Sequence, residues 1–152
     1  MNAGEMDFKN FLTQQEADTK GRTLQDIWNF TDTEIERTHD FIQIIFPLDE
    51  PSGVAPQLGY LESDSTVAAI KANDLAKENI IISSRWFLSF LKMNEQWKKP
   101  YDHNHSRITR IIRCLRLLVS DEVADEFRRN MLDCLGSSHV ISKRTLKFWD
   151  TA

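Results

Sequence analysis

The sequence predicts an all-α protein, and three observations carry that reading. Apolar residues recur at helical spacing along most of the chain, side chains that cap helices stand where those runs begin, and no second strand-like segment is available to build a sheet. The expected architecture is a single-domain bundle of six to eight helices around a central apolar helix at about 74–93. The 152 residues suit one core, and a hydrophobic content of 41%, with nine Phe and four Trp, is enough to fill it. Residues 1–22 read as an N-terminal helical extension and 23–152 as the main helical domain.

The elements follow in order. Residues 7–18 predict a short helix with Phe8, Phe11 and Leu12 on one side, broken by Asp18-Thr-Lys-Gly-Arg22. Thr23–Phe30 predicts a second, carrying Leu24, Ile27 and Trp28. The third runs from Thr31 to Phe46: Thr31 with Glu34, or Thr33 with Glu36, has the spacing of a capping box, and Pro47, which lacks an amide proton, ends it. Ile35, Ile42, Ile45 and Phe46 share a face at 100° per residue. The next sixteen residues, LDEPSGVAPQLGYLES, have no period, and connections of that length are packed Ω-loops, lids or binding loops.

Helical patterning resumes at Ser65–Asn73 and continues from Asp74 to Met93, where apolar residues almost surround the axis. Ile80-Ile81-Ile82 alone resembles a strand, but the pattern is too long for one. Lys98–Asp102 is a connector, and a helix spans about 103–118. Ser120 caps the next, which carries Val123, Ala124, Phe127, Met131 and Leu135 and stops at Gly136. Ser142 caps a last helix holding Leu146 and Trp149.

Several function classes are disfavoured at once. No apolar run approaches the roughly 20 residues of a membrane span, and the acidic start MNAGEMDFKNFL lacks the features of a signal peptide, so a cytoplasmic protein is expected. Cys114 and Cys134 fall on apolar faces and read as two buried free thiols. There is no Cys-x-x-Cys, His-Glu-x-x-His or EF-hand loop, and no cofactor or metal is expected. No Gly-x-Ser-x-Gly elbow or paired acid and base points to catalysis. Charge is uneven. Residues 98–152 carry eleven Lys/Arg against seven Asp/Glu, a net +4, whereas 1–97 carry eight against sixteen, a net −8. The bland reading is mutual attraction within the fold; the other is a basic face for an anionic or acidic partner.

Within HNHSRITRIIRCLR, Arg107, Arg110, Arg113 and Arg116 stand three residues apart, a step of about 300° that spreads them round the helix. Arg113 and Arg116 fall on the solvent side, Arg110 on the border, and Asn104 and Arg107 with the core face of Ile108, Ile111, Ile112, Leu115 and Leu118. A buried guanidinium needs a carboxylate, carbonyls or an anionic ligand. His39 reads as lying within the apolar face of the Thr31–Phe46 helix, with Gln43 as its i+4 neighbour. His103, Asn104, Arg107 and Arg110 with His39 and Gln43 are therefore the candidate ligand-binding residues, in a polar pocket between the two helices. His105 and His139 read as exposed. Nucleic acid is not expected, because neither a broad basic field nor stacking aromatics are evident.

Thr38-His39-Asp40-Phe41-Ile42-Gln43-Ile44-Ile45-Phe46-Pro47-Leu48 resembles the THDYIQWLFPL signature of the opioid growth factor receptor (OGFr) conserved region. His103-Asn104-His105-Ser106-Arg107-Ile108-Thr109-Arg110-Ile111 resembles that family's HNYLRITRI segment, and Thr145–Trp149 resembles the TLxFW close of its small bacterial members. Two departures stand out: Ile44 replaces a Trp, and His105-Ser106 replaces an aromatic and an aliphatic residue. The resemblance covers about residues 24–152. It implies a peptide-receptor label, since the animal receptor binds an enkephalin growth-factor peptide, and it brings the same six polar residues together.

The expected function is a non-enzymatic helical module that binds a small anionic ligand or peptide, with Pro47–Glu62 as a lid. The alternatives are an adaptor that offers its basic 98–116 surface to an acidic protein, and an enzyme with a histidine base.

Overall fold

The computed structural model describes residues 6–137 and 139–152, and all of its regular structure is helical; no strand occurs among the described residues. The chain divides into two compact units, residues 1–83 and 84–152, each described in turn.

In the first unit, α1 (Phe8–Leu12) is capped by Asp7, whose side chain accepts from the Asn10 amide at 2.9 Å. It is shorter than the expected 7–18. The Thr13 hydroxyl bonds back to the Lys9 carbonyl, and Gln14 takes a φ of 61°, which turns the chain away. Both α2 (Leu24–Trp28) and α3 (Asp32–Arg37) open with reciprocal capping boxes, Thr23 with Asp26 and Thr31 with Glu34. The expected continuous Thr31–Phe46 helix is two pieces: α3 closes at Thr38, which is extended (φ −90°, ψ 125°), and α4 is the single turn Ile42–Ile45. The reason is local. Both the backbone carbonyl and the carboxylate of Asp40 bond to Arg22, which anchors the chain at 38–41 to the Asp18–Arg22 turn.

The segment after Pro47 is a packed loop. Its neck is closed by the Leu61 amide on the Leu48 carbonyl (2.9 Å), and buried Ser52 accepts from the amides of Val54 and Ala55. It contains a 3₁₀ turn, Pro56–Leu58, and Gly59, at φ 83°, passes the Phe8 ring where a Cβ would lie 3.8 Å away. Ser63 caps α5 (Asp64–Lys71). The division between units falls inside α6 (Asp74–Met93), a continuous 20-residue helix as expected. Two polar bonds fix its first half within unit 1: Asn79 donates to the Leu12 carbonyl (2.8 Å), and the Trp28 indole donates to Ser83 (2.9 Å). The helix is less enclosed than its composition implies, because Leu75, Ile82 and Met93 are exposed.

The second unit adds α7 (Asn104–Leu118), α8 (Asp121–Leu135) and α9 (Lys143–Thr151) to the end of α6 and a 3₁₀ turn, Gln96–Lys98. Only Val119 and Ser120 join α7 to α8, and the two pack as a helical hairpin, with α9 also against α7. Ser120 and Ser142 cap α8 and α9, and Gly136 (φ 66°) ends α8. Splitting the third expected helix brings the described residues to nine α-helices rather than six to eight. Cys114 is buried, and burial pushes its thiol up to about 12, whereas Cys134 is only half-buried, contrary to expectation.

Candidate functional site: a cationic cleft in the first unit

The site begins with a turn. The Asp18 carboxylate accepts from the amides of Lys20 (2.9 Å) and Arg22 (2.8 Å), and the Asp18 amide bonds to the Arg22 carbonyl (2.8 Å). Gly21 supplies the left-handed conformation this turn needs, with φ 79°. The Asp18 side chain is fully buried, and its second oxygen takes the Arg22 Nε at 2.7 Å. The remaining reach of Arg22 goes to Asp40: one terminal nitrogen to the carboxylate (2.9 Å) and the other to the backbone carbonyl (3.2 Å). Lys20 pairs with the other Asp40 oxygen.

This ion network lines an open cleft of about 500 Å³, together with Arg37, Thr38 and His39 and with Val54, Ala55 and Gln57 from the packed loop. Burial pulls the Asp40 carboxyl upward, but hydrogen bonds from Lys20 and Arg22 outweigh it and hold it below the usual carboxylate range. Burial likewise pulls the Arg22 guanidinium down, and Asp18 and Asp40 more than reverse it. Arg37 differs from its neighbours. It is exposed at the end of α3 and makes no ion pair or side-chain hydrogen bond among the described residues.

Of the residues expected from sequence, His39 lines this cleft. It is exposed, which corrects its placement on an apolar helix face; the helix on which that wheel was drawn ends before it. Gln43 is buried on α4 and reaches the His39 carbonyl at 3.4 Å, so it supports that backbone from beneath. The other four lie in the second unit. His103 is exposed at the start of α7, Asn104 and Arg107 are buried as the wheel indicated, and Arg110 is half-buried. An Arg107 terminal nitrogen donates to the Asn104 side-chain carbonyl at 3.2 Å.

Two further expectations for α7 are corrected. His105 is buried, because Trp97 and Trp149 close over that side: its Nε2 meets the Trp97 carbonyl at 2.6 Å. Arg116 is not a freely solvated charge; it bonds to Asp121 (2.9 Å), Asp125 (2.8 Å) and the Ala152 carbonyl (2.8 Å).

Sequence reasoning missed Lys20, Arg22, Arg37, Asp40 and Gln57 as site residues. The one available signal was the Asp18–Arg22 stretch, where a carboxylate, a glycine and two cations sit within five residues; it reads first as a helix breaker.

The family described as "Opioid growth factor receptor (OGFr) conserved region" matches residues 5–100. The matched range takes in α1 and every residue of the cleft, and ends before His103. Among curated proteins and among solved structures, none matches the chain.

Proposed function

This chain belongs to the opioid growth factor receptor conserved-region family, and from that membership we propose that it is a ligand-binding helical module. Its ligand is a small anion or a peptide bearing an anionic group, held in the cleft beside His39. The observation that carries this reading is Arg37. It is an exposed guanidinium inside a concave site, without an internal partner among the described residues, beside Lys20 and His39. A planar fork of this kind suits a carboxylate or phosphate held by two parallel hydrogen bonds. The cleft volume falls within the range usual for small-ligand sites, and Val54 and Ala55 give it an apolar edge for the rest of the ligand. The test is Arg37→Gln: binding of an anionic probe should fall about tenfold or more with the melting temperature unchanged, since charged hydrogen bonds contribute about 1.5–3 kcal/mol. Equal binding by the variant would remove the reading.

In the second unit, His103, Asn104, Arg107 and Arg110 are proposed as a separate polar group that binds an anionic ligand of its own; in the first, Gln43 is proposed as a support for His39. Arg107→Ala is expected to weaken ligand binding with the melting temperature within a few degrees. A large loss of stability with binding retained assigns Arg107 to the fold.

A second reading, an adaptor for an acidic protein, is favoured by Tyr101, which is 87% exposed two positions after exposed Lys99. The basic surface it would use is smaller than the sequence implied, because Arg116 is already engaged.

A further inference from the structure

Asp40 is the only carboxylate among the residues that line the cleft, and it lies against two of the cations there. Its two oxygens are held very differently. One is bound by Arg22, whose side chain is 19% exposed and also fixed through Nε to the buried Asp18. The other is bound by Lys20, whose side chain is 62% exposed. Arg22 has no freedom to turn toward a ligand: Nε is on Asp18, and its terminal nitrogens are on the Asp40 carboxylate and carbonyl. Lys20 has that freedom, because its ammonium is a single point charge on a four-carbon stem. Water screens the exposed lysine head and weakens its pairing, so it can leave Asp40 for a better acceptor.

We propose that Asp40 is a resident counter-ion: an incoming oxyanion, carboxylate or phosphate, replaces it at Lys20 and bridges Lys20 to Arg37, while Arg22 stays locked in place. This rests on the ligand-binding reading given above and assigns the chemical class and the competitor to that same cleft. The donors on the lining fit the role. Arg37 offers its fork, and the Gln57 amide, without a side-chain hydrogen bond among the described residues, stands on the loop wall. The backbone under Lys20 does not depend on its ammonium. The Lys20 and Arg22 amides are held by Asp18, so the turn persists when the lysine head moves. Asp40 then remains beside the bound anion as a like charge and keeps its affinity low.

The sign of one measurement separates this from a merely structural Asp40. The whole chain is titrated with sodium acetate and with inorganic phosphate at constant ionic strength, followed by amide NMR shifts at Lys20, Arg37 and His39. Removing a like charge should make Asp40→Asn bind about fivefold more tightly than wild type, the equivalent of about 1 kcal/mol. Lys20→Gln and Arg37→Gln should each bind more weakly. Asp40→Ser, which keeps an acceptor for Arg22, carries the same expectation if Asp40→Asn loses its dispersed amide spectrum. Tighter phosphate than acetate binding supports a phosphoryl ligand, and the reverse supports a carboxylate. If wild type binds and neither Asp40 variant binds more tightly, Asp40 positions the cations and the counter-ion proposal falls, with the ligand-binding reading intact. If no form binds either anion, both fall.

Discussion

Trp149 donates its indole N–H to the backbone carbonyl of His105 at 3.1 Å, and the two rings meet edge to face with centroids 5.6 Å apart. The contact joins the last helix of the second unit to the first turn of α7. Trp97 completes the cluster, 6.5 Å from Trp149, with its own indole bonded to the Leu91 carbonyl. Trp149 is 1% exposed, so Trp149→Ala should cost about 3–5 kcal/mol, as large aromatic truncations in cores do. Trp149→Phe should cost less, because it keeps most of the packing and loses the indole bond. Urea unfolding of the three forms measures both; equal stability of wild type and Trp149→Ala contradicts the packing described.

The two thiols should differ in reactivity. Burial disfavours the Cys114 thiolate and pushes its pKa to about 12, while Cys134 is half-buried. The thiolate is the reacting species. In the native protein iodoacetamide should modify Cys134 well before Cys114, and in denaturant the two rates should converge. Peptide mass spectrometry over a time course reads this directly.

The ion network around Asp40 sets a sign for acid stability. Its carboxyl titrates lower in the folded protein than the ordinary 3.8. Its contribution is therefore fully present above that value and is lost as pH falls below it through the depressed folded value. Relative to wild type, Asp40→Asn should be less stable at pH 7, with the gap closing as pH falls below 3.8. A constant gap across that window would show that Asp40 acts through shape rather than charge.

Arg116 makes three bonds, yet its effect on stability should be small. Asp121 and Asp125 are exposed, and solvent and salt screen surface pairs of this kind, which leaves them a small part in stability. Arg116→Gln should lower the melting temperature by only a few degrees at low salt, and the difference should shrink in 1 M sodium chloride. Thermal melts at the two salt concentrations test this.

The helical architecture was legible because its signals are local. Thr31 with Glu34, Ser120, Ser142 and Gly136 act within four residues of themselves, and each stands where the pattern placed it. The twenty residues of α6 were equally clear, since a long apolar pattern fits no strand. What failed depended on partners remote in sequence. The break at Thr38 arises from Arg22 reaching Asp40 across eighteen positions, and with that break His39 leaves the apolar face assigned to it. His105 reads as an exposed residue at a helix start, and Trp97 and Trp149, eight and forty-four positions away, enclose it. The cleft escaped detection for the same reason: a turn, a helix end and a loop supply its lining, and no single periodic segment contains it.

The loop that supplies Val54, Ala55 and Gln57 is tied shut at its base by one backbone bond between Leu61 and Leu48. A knot at the neck isolates whatever lies beyond it. Between buried Ser52 and buried Ala55, the exposed Gly53 and Val54 can be exchanged or lengthened with the added chain entropy confined to the tip, a cost that grows only slowly with length. The wall of the cleft is thus a replaceable part, and swapping it should retune which guest is accepted while the helices beneath keep their melting behaviour.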